Sequence, residues 1–296
     1  MYSSVKIFRD NVHGYIRVPV DFVELFIDTE IFQRLRNIEQ TGMRVLYPSA
    51  RHDRFIHSLG TYHLGYKAFD CFRENVKKSS DNQLDLERRH YHVFDNAENE
   101  RFWDKCKVLF HIACLLHDCG HAPFSHTLEF YYEHFASPSL PLKDKLLRYL
   151  SSKEFKNDFN TQGTQHERMS ALVVCAEFNS DIKNLLDKYK LNIDDDKDDV
   201  EFIARMIIGC KYQNKTKANQ IKNCLIDLLN SKSIDVDKLD YIIRDSKLSG
   251  IDNMSVDVDR LLNSLTIIEL TTFDKIPFNN SHIEANVKKN THKIII

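Results

Sequence analysis

HIACLLHDCGHAPFSH, residues 111–126, is the stretch on which the reading turns. Val108 to Leu116 is almost wholly apolar and reads as a buried helix. Gly120 supplies the residue type that ends helices in the left-handed conformation. His117 and Asp118 therefore fall at the end of a core helix. Successive helical side chains point about 100° apart, so an ion shared by both must lie beside the helix end, with other segments completing its shell. Upstream, His57 stands in RFIHSLG; downstream, Asp237 stands in IDVDKLDYIIRD. Two imidazoles and two carboxylates balance a divalent charge, and the nitrogens favour Fe, Mn, Zn or Ni over Ca.

Around this stretch the chain is built for helices. It has 296 residues, 42% of them hydrophobic, with only 8 glycines and 6 prolines separating long periodic segments. The expectation is a mostly α-helical body with one main core. Lys and Arg number 41 against 43 Asp and Glu, so the net charge of -2 provides no bulk attraction to nucleic acid or anionic membranes. There is neither a bilayer-length apolar run nor the apolar core of a signal peptide at MYSSVKIFRDN, which leads us to expect a cytoplasmic protein. Seven cysteines, scattered and never in a CxxC pair, suit reduced, mostly buried thiols.

Residues 5–18 alternate loosely and turn at His13-Gly14, predicting a short two-stranded entry. Asp28 to Gln40 has Ile31, Leu35 and Ile38 at helical spacing, with Gln33, Arg34 and Arg36 among them. Phe55, Leu59, Tyr62, Tyr66 and Phe69 mark the core stripe of the helix that carries His57. Arg54 stands one turn from His57, well placed for a phosphate oxygen bound at the metal; His63 reads as structural. Residues 74–105 are dense in charge and read as a surface excursion, with His90 and His92 solvated.

Pro123 fits the first turn of a new helix. Ser137 to Gly163 reads as a flexible wall with a short amphipathic piece at KDKLLRYL, and QHERMSALVVCAEF as a helix with Met169, Leu172, Val173 and Ala176 facing the core. The acid run Asp194 to Asp199 lacks the frame of a calcium loop. On the helix Asp237 to Asp245, Asp237, Lys238, Tyr241 and Asp245 share one polar arc that offers a metal ligand, a cation, a hydroxyl and a carboxylate to one substrate. From Ile267 onward helical periodicity gives way to short strands with a candidate turn at Asn279-Asn280.

In this order, RFIHSLG, LLHDCGHAPFSH, QHE and IDVDKLDYIIRDS resemble the HD-domain deoxynucleoside triphosphate triphosphohydrolases, as do FRDNVHGYIRV and IDTEIFQRLRNIEQTG near the N-terminus. The resemblance covers roughly residues 5–265. It implies an HD-domain helical bundle over 1–265, with 266–296 a small β-rich appendage. It also implies one transition metal on His57, His117, Asp118 and Asp237, with Mg accompanying the nucleotide phosphates. Arg54, Lys238 and Tyr241 would hold the triphosphate, and Gln40 with Asp245 would lie near the sugar 3'-hydroxyl. His121, His126 and His166 would be the catalytic histidines, with Glu129 as partner of His166 where a human member of the family carries Asp.

The implied reaction splits a dNTP into deoxynucleoside and inorganic triphosphate. An HD-type phosphodiesterase or nucleotidase, or a nucleotide-sensing module without turnover, are the other readings. In nucleotide-activated members, residues matching Asp28, Gln33 and Arg36 hold a guanine nucleotide at a subunit interface. The resemblance therefore implies a homo-oligomer that responds to GTP or a dNTP, with Arg9 in place of an asparagine. Family members continue with further Arg, Lys and Tyr residues of the pocket, so the expectation is a fragment or a shortened relative.

Overall fold

A computed structural model describes residues 4–81, 97–128, 142–159, 162–192, 199–214, 216–251, 256–277 and 284–295. The N-terminal strands β1 (Val5–Asp10) and β2 (Gly14–Pro19) pair antiparallel from Val5↔Pro19 to Asp10↔Gly14, as the alternation predicts. Gly14 takes φ 79°, the left-handed conformation that the tight turn requires. A short helix α1 (Val20–Phe22) runs into a π-helical turn, Val23–Ile27, which buries Phe26 and Ile27.

The helix expected over 28–40 is broken up. Thr29 caps α2 (Glu30–Gln33), a 3-10 turn covers Arg34–Asn37, and the chain is extended by Ile38. Glu39 then bridges Asp53, and Gln40 N–H donates to the His52 carbonyl at 3.0 Å. Backbone pairing with the segment before the next helix displaces the helical hydrogen bonds that periodicity alone suggested.

Helix α3 (Arg54–Asp81) starts where the Asp53 carboxylate accepts the Ile56 N–H at 2.9 Å. Phe55, Leu59, Tyr62 and Phe69 are buried as expected, whereas Tyr66 is 37% exposed and lies against the His111 ring. Helix α4 (Ala97–Leu116) extends far upstream of the apolar run. Trp103, which read as part of a surface excursion, is buried against Phe69 and Phe72, and Lys105 is buried in an ion pair with Asp199. Glu100 and Asp104 likewise pair with Arg73, and paired charges let a polar-looking stretch enter a core. His90 and His92 lie outside the described residues.

Next comes α5 (Leu142–Tyr149), the amphipathic piece expected there, which buries Leu146, and then α6 (Lys153–Asp158), which buries Phe155 where only a flexible wall was expected. Helix α7 (Gln165–Glu177) opens with a capping box between Thr164 and Glu167. The remaining helices are α8 (Asn179–Lys188), α9 (Asp199–Ile208), α10 (Lys217–Leu229), α11 (Val236–Ser249) and α12 (Val258–Asn263). Every residue of α9 is buried, and it packs on α4 and α7 while α3 packs on α4 and α11. Strands β3 (Thr266–Pro277) and β4 (Glu284–Ile295) form an antiparallel ribbon from Thr266↔Ile295 to Pro277↔Glu284. The molecule is thus mostly helical, with a two-stranded ribbon near each end of the chain.

The buried face of α7 is Ser170, Ala171, Val174 and Cys175, not the larger residues expected. Gly120 explains the difference, because a Cβ there would lie 2.3 Å from the Ser170 nitrogen. Small side chains let the loop after α4 lie directly on α7. Met169, Leu172, Val173 and Ala176 instead line a cavity of about 750 Å³ with Lys145, Arg148 and Tyr149. Gly120 is absent from the positive-φ glycines, so close approach rather than left-handed capping requires it.

Candidate metal centre

Three helix ends converge on one point. His57 sits in the first turn of α3, His117 and Asp118 follow the last residue of α4, and Asp237 sits in the first turn of α11. His57, His117 and Asp118 are all buried. The Nε2 atoms of His57 and His117 face each other at 3.2 Å. Asp237 Oδ1 lies 2.9 Å from the first and 3.4 Å from the second, and Asp118 Oδ2 lies 3.7 Å from both. Nitrogen and oxygen ligands at ~2.0–2.2 Å from an ion sit about 3–3.6 Å from their neighbours, close to the spacing of these donors.

The rings are oriented for this by what they bond on the far side. His57 Nδ1 pairs with Asp240 Oδ2 at 2.7 Å, and His117 Nδ1 with the Cys114 carbonyl at 2.9 Å. Carbonyl and carboxylate oxygens only accept, so each Nδ1 carries the proton and each Nε2 lone pair faces inward. Two inward lone pairs with two carboxylates form a donor set that fits a divalent transition metal. Burial pushes the His57 imidazole down, but hydrogen bonds to Asp237 and Asp240 outweigh it and raise it to about 10. Burial likewise opposes the Asp118 charge, yet Arg54 and His117 hold that carboxyl well below the usual range.

Arg54, read as a phosphate contact, is itself buried. One of its nitrogens donates to Asp118 Oδ2, and another donates to Ser125 Oγ at 2.5 Å and lies 3.3 Å from His126 Nε2. It links the metal centre to a second cluster. His121 and His166 stack at 4.3 Å between ring centroids, and His126 stands edge-on to both at 5.0 and 5.1 Å. His121 is fully buried, with neither ring nitrogen hydrogen-bonded among the described residues and Nε2 3.9 Å from Asp118 Oδ1, and burial pushes it down to about 2. His126 is exposed and His166 half-buried. Phe124 and Ser125 both take positive φ, at 65° and 54°, so the backbone before His126 is strained. Glu129 lies outside the described residues.

On α11, Lys238 donates to the Ser231 carbonyl at 2.7 Å and to Asp235 Oδ2 at 2.5 Å. Tyr241 is half-buried, and burial with the Asp237 charge raises its phenol. Asp245 pairs with His52 Nε2 at 2.5 Å, beside Gln40, whose Oε1 is buried without a hydrogen-bond partner among the described residues. Farther off, Gln33 Nε2 donates to the Ile27 carbonyl at 2.8 Å, Arg36 Nε donates to Gln33 Oε1 at 2.8 Å, and the Arg36 guanidinium lies 3.5 Å over the Phe55 ring. Asp28 is exposed, 3.8 Å from Lys6 Nζ.

Sequence reasoning missed Asp240, Arg244, Asp10, His13 and His52. Asp240 and Arg244 lie at about 300° and 340° from Asp237, flanking the recognised arc on its other side. An Asp-Arg pair four apart on that flank was the available signal.

The fold and this centre define a protein of the HD-domain class. Comparisons agree. A deoxynucleoside triphosphate triphosphohydrolase SAMHD1 homolog of Dictyostelium discoideum is 31% identical over 95% of the chain and 43% of that relative. The deoxynucleoside triphosphate triphosphohydrolase SAMHD1 of Gallus gallus is 30% identical over 96% and 39%. A putative HD domain-containing protein of Acanthamoeba polyphaga mimivirus is 30% identical over 88% and 47%. The crystal structure of a hypothetical protein from Aquifex aeolicus superposes with a TM-score of 0.55 at 25% identity, covering 89% of this chain and 52% of that one. No family model matches the chain. The chain belongs to the HD-domain deoxynucleoside triphosphate triphosphohydrolase family, and it spans about two-fifths of the length of these SAMHD1 relatives.

Proposed function

We propose that this protein hydrolyses deoxynucleoside triphosphates to deoxynucleoside and inorganic triphosphate. The observation that carries the reading is the convergence of His57, His117 and Asp118 donors, with Asp237 against both imidazoles, beside a histidine cluster. Those four residues would hold a divalent cation, which would supply Lewis-acid polarisation of a phosphoryl oxygen and of water. Water attacks the α-phosphorus, the bond from phosphorus to O5' breaks, and O5' takes a proton. Arg54 holds Asp118 in place and offers its positive charge to the phosphates.

Of the three histidines, His126 and His166 reach solvent and can reload a proton after each turnover, whereas His121 is sealed. Lys238 and Tyr241 receive the triphosphate, while Gln40, whose Oε1 has no hydrogen-bond partner among the described residues, and Asp245 receive the sugar 3'-hydroxyl. Asp28, Gln33 and Arg36 form the contact for an activating GTP or dNTP in a homo-oligomer. No helix among the described residues is long and apolar enough to cross a membrane, and the setting we assign is the cytoplasm.

The test is incubation with each dNTP and Mn or Fe, followed by product analysis. Inorganic triphosphate and deoxynucleoside are expected. Monophosphate or orthophosphate would make the protein a phosphodiesterase or nucleotidase, and binding without product would make it a sensor.

A further inference from the structure

Asp240, whose carboxylate faces His57, makes more bonds than that one, and the others tie it to the N-terminal hairpin. Its Oδ2 meets His57 Nδ1 at 2.7 Å and accepts from Arg244 Nε at 2.8 Å. Its Oδ1 accepts from an Arg244 terminal nitrogen at 2.9 Å and meets His13 Nε2 at 2.6 Å. Asp240 is fully buried and Arg244 is 1% exposed. The guanidinium turns its other side to Asp10, with both terminal nitrogens at 3.0 Å from the two carboxylate oxygens. Even the backbone makes room for the pair: a Cβ on Gly60 would lie 2.0 Å from Asp240 Oδ1 and 2.3 Å from an Arg244 nitrogen. Helix α3 therefore carries His57 and, three residues on, the glycine that admits its partner.

A neutral imidazole has one N–H. His57 can ligate through Nε2 only when Nδ1 holds the proton, and a carboxylate at Nδ1 enforces that tautomer, fixes the ring plane and strengthens the ligand. A purely structural salt bridge between α11 and the hairpin needs Arg244 and Asp10 alone. The placement of Asp240 against a ligand ring is what that reading leaves without a reason.

We propose that Asp240 is the positioning residue of His57, and that Arg244, Asp10 and His13 fix its carboxylate, so that cation affinity depends on the docked N-terminal hairpin. This rests on the metal centre described above.

The experiment measures Co²⁺ affinity of the full chain by chelator competition, together with the visible cobalt spectrum and far-ultraviolet circular dichroism. Asp240→Asn is expected to keep the parent's helical signal, bind Co²⁺ roughly 10–100-fold more weakly and change the cobalt bands. Arg244→Lys and His13→Gln are expected to weaken binding in the same direction by less. If Asp240→Asn fails to fold, those two variants and the parent decide. In the Zn²⁺-loaded parent, two-bond nitrogen-proton spectra should show the His57 ring protonated at Nδ1. Folded variants with parental affinity and cobalt bands, or a His57 ring protonated at Nε2, overturn this inference alone. A parent that takes up no cation overturns the metal centre and this inference with it.

Discussion

Asp237 and His117 each give the centre one donor and, in Asp237, one of its negative charges. Replacing either by Ala should abolish both bound metal and turnover, because lost charge and coordination weaken such sites severely. Elemental analysis at parental occupancy in either variant would refute the four-ligand set. His126→Ala should keep its metal and lose roughly 10²–10⁴-fold in rate if that ring serves as general acid, read by metal content beside steady-state kinetics. His63 gives a stability prediction. Burial, helped by the nearby His13 and Lys67 charges, pushes its imidazole down to about 4, with Asp10 and Asp240 opposing. The unfolded ring titrates near 6.5, so above that pH neither state is charged. Between about 6.5 and 4 the unfolded chain takes up the proton first, and stability falls by up to roughly 3 kcal/mol. Urea midpoints of His63→Gln should therefore decline less than the parent's over that window; parallel curves would contradict it. At this scale the meeting of His57, His117, Asp118 and Asp237 was legible because a His-Asp pair closes an apolar helix and matching His and Asp segments stand on either side of it in sequence. Asp240 and Arg244 were not, because a salt-bridged pair on an amphipathic helix looks the same in sequence whether it faces solvent or a ligand ring.

The elements were legible where one face of a segment is apolar and its ends are marked. The start of the His57 helix, the close of the His-Asp helix and the hairpin all satisfy that, whereas the first half of the His-Asp helix read as surface. Legibility failed where small residues make the buried face, as on α7, and where a backbone bridge overrides periodicity, as at Glu39 and Asp53. Gly120 tests the first case. Its N–H donates to Ser170 Oγ at 2.9 Å, and any Cβ would press on the α7 backbone, which cannot retreat as a side-chain tip would. Gly120→Ala should cost about 1–3 kcal/mol in thermal unfolding and, by moving the loop that carries Asp118, weaken metal binding as well. Unchanged melting would mean that the loop and α7 lie farther apart.

For the whole molecule, the contact proposed for an activating nucleotide lies on the polypeptide between the hairpin and α3, held together by the Gln33 and Arg36 side chains. Nucleotide that binds an oligomer better than the monomer shifts the equilibrium by that difference in affinity. Light scattering should show a larger mass for the parent with GTP or dNTP, and a smaller or absent increase for Arg36→Ala. An unchanged parental mass at saturating nucleotide, with parental activity in the variant, would exclude it. Composition forecast the helical body, and the loss of helical period after residue 266 forecast the C-terminal ribbon. The pairing of hairpin with α11 was beyond reach, since no local pattern reports a contact across the chain. That pairing also has a schedule. Asp10 and Arg244 stand 234 residues apart, which at ribosomal rates of ~5–20 residues per second is about 10–50 s of synthesis. For that interval the newborn hairpin waits without its partner, and the proposed cation site, which takes Asp237, is complete only after nearly the whole stretch has been translated.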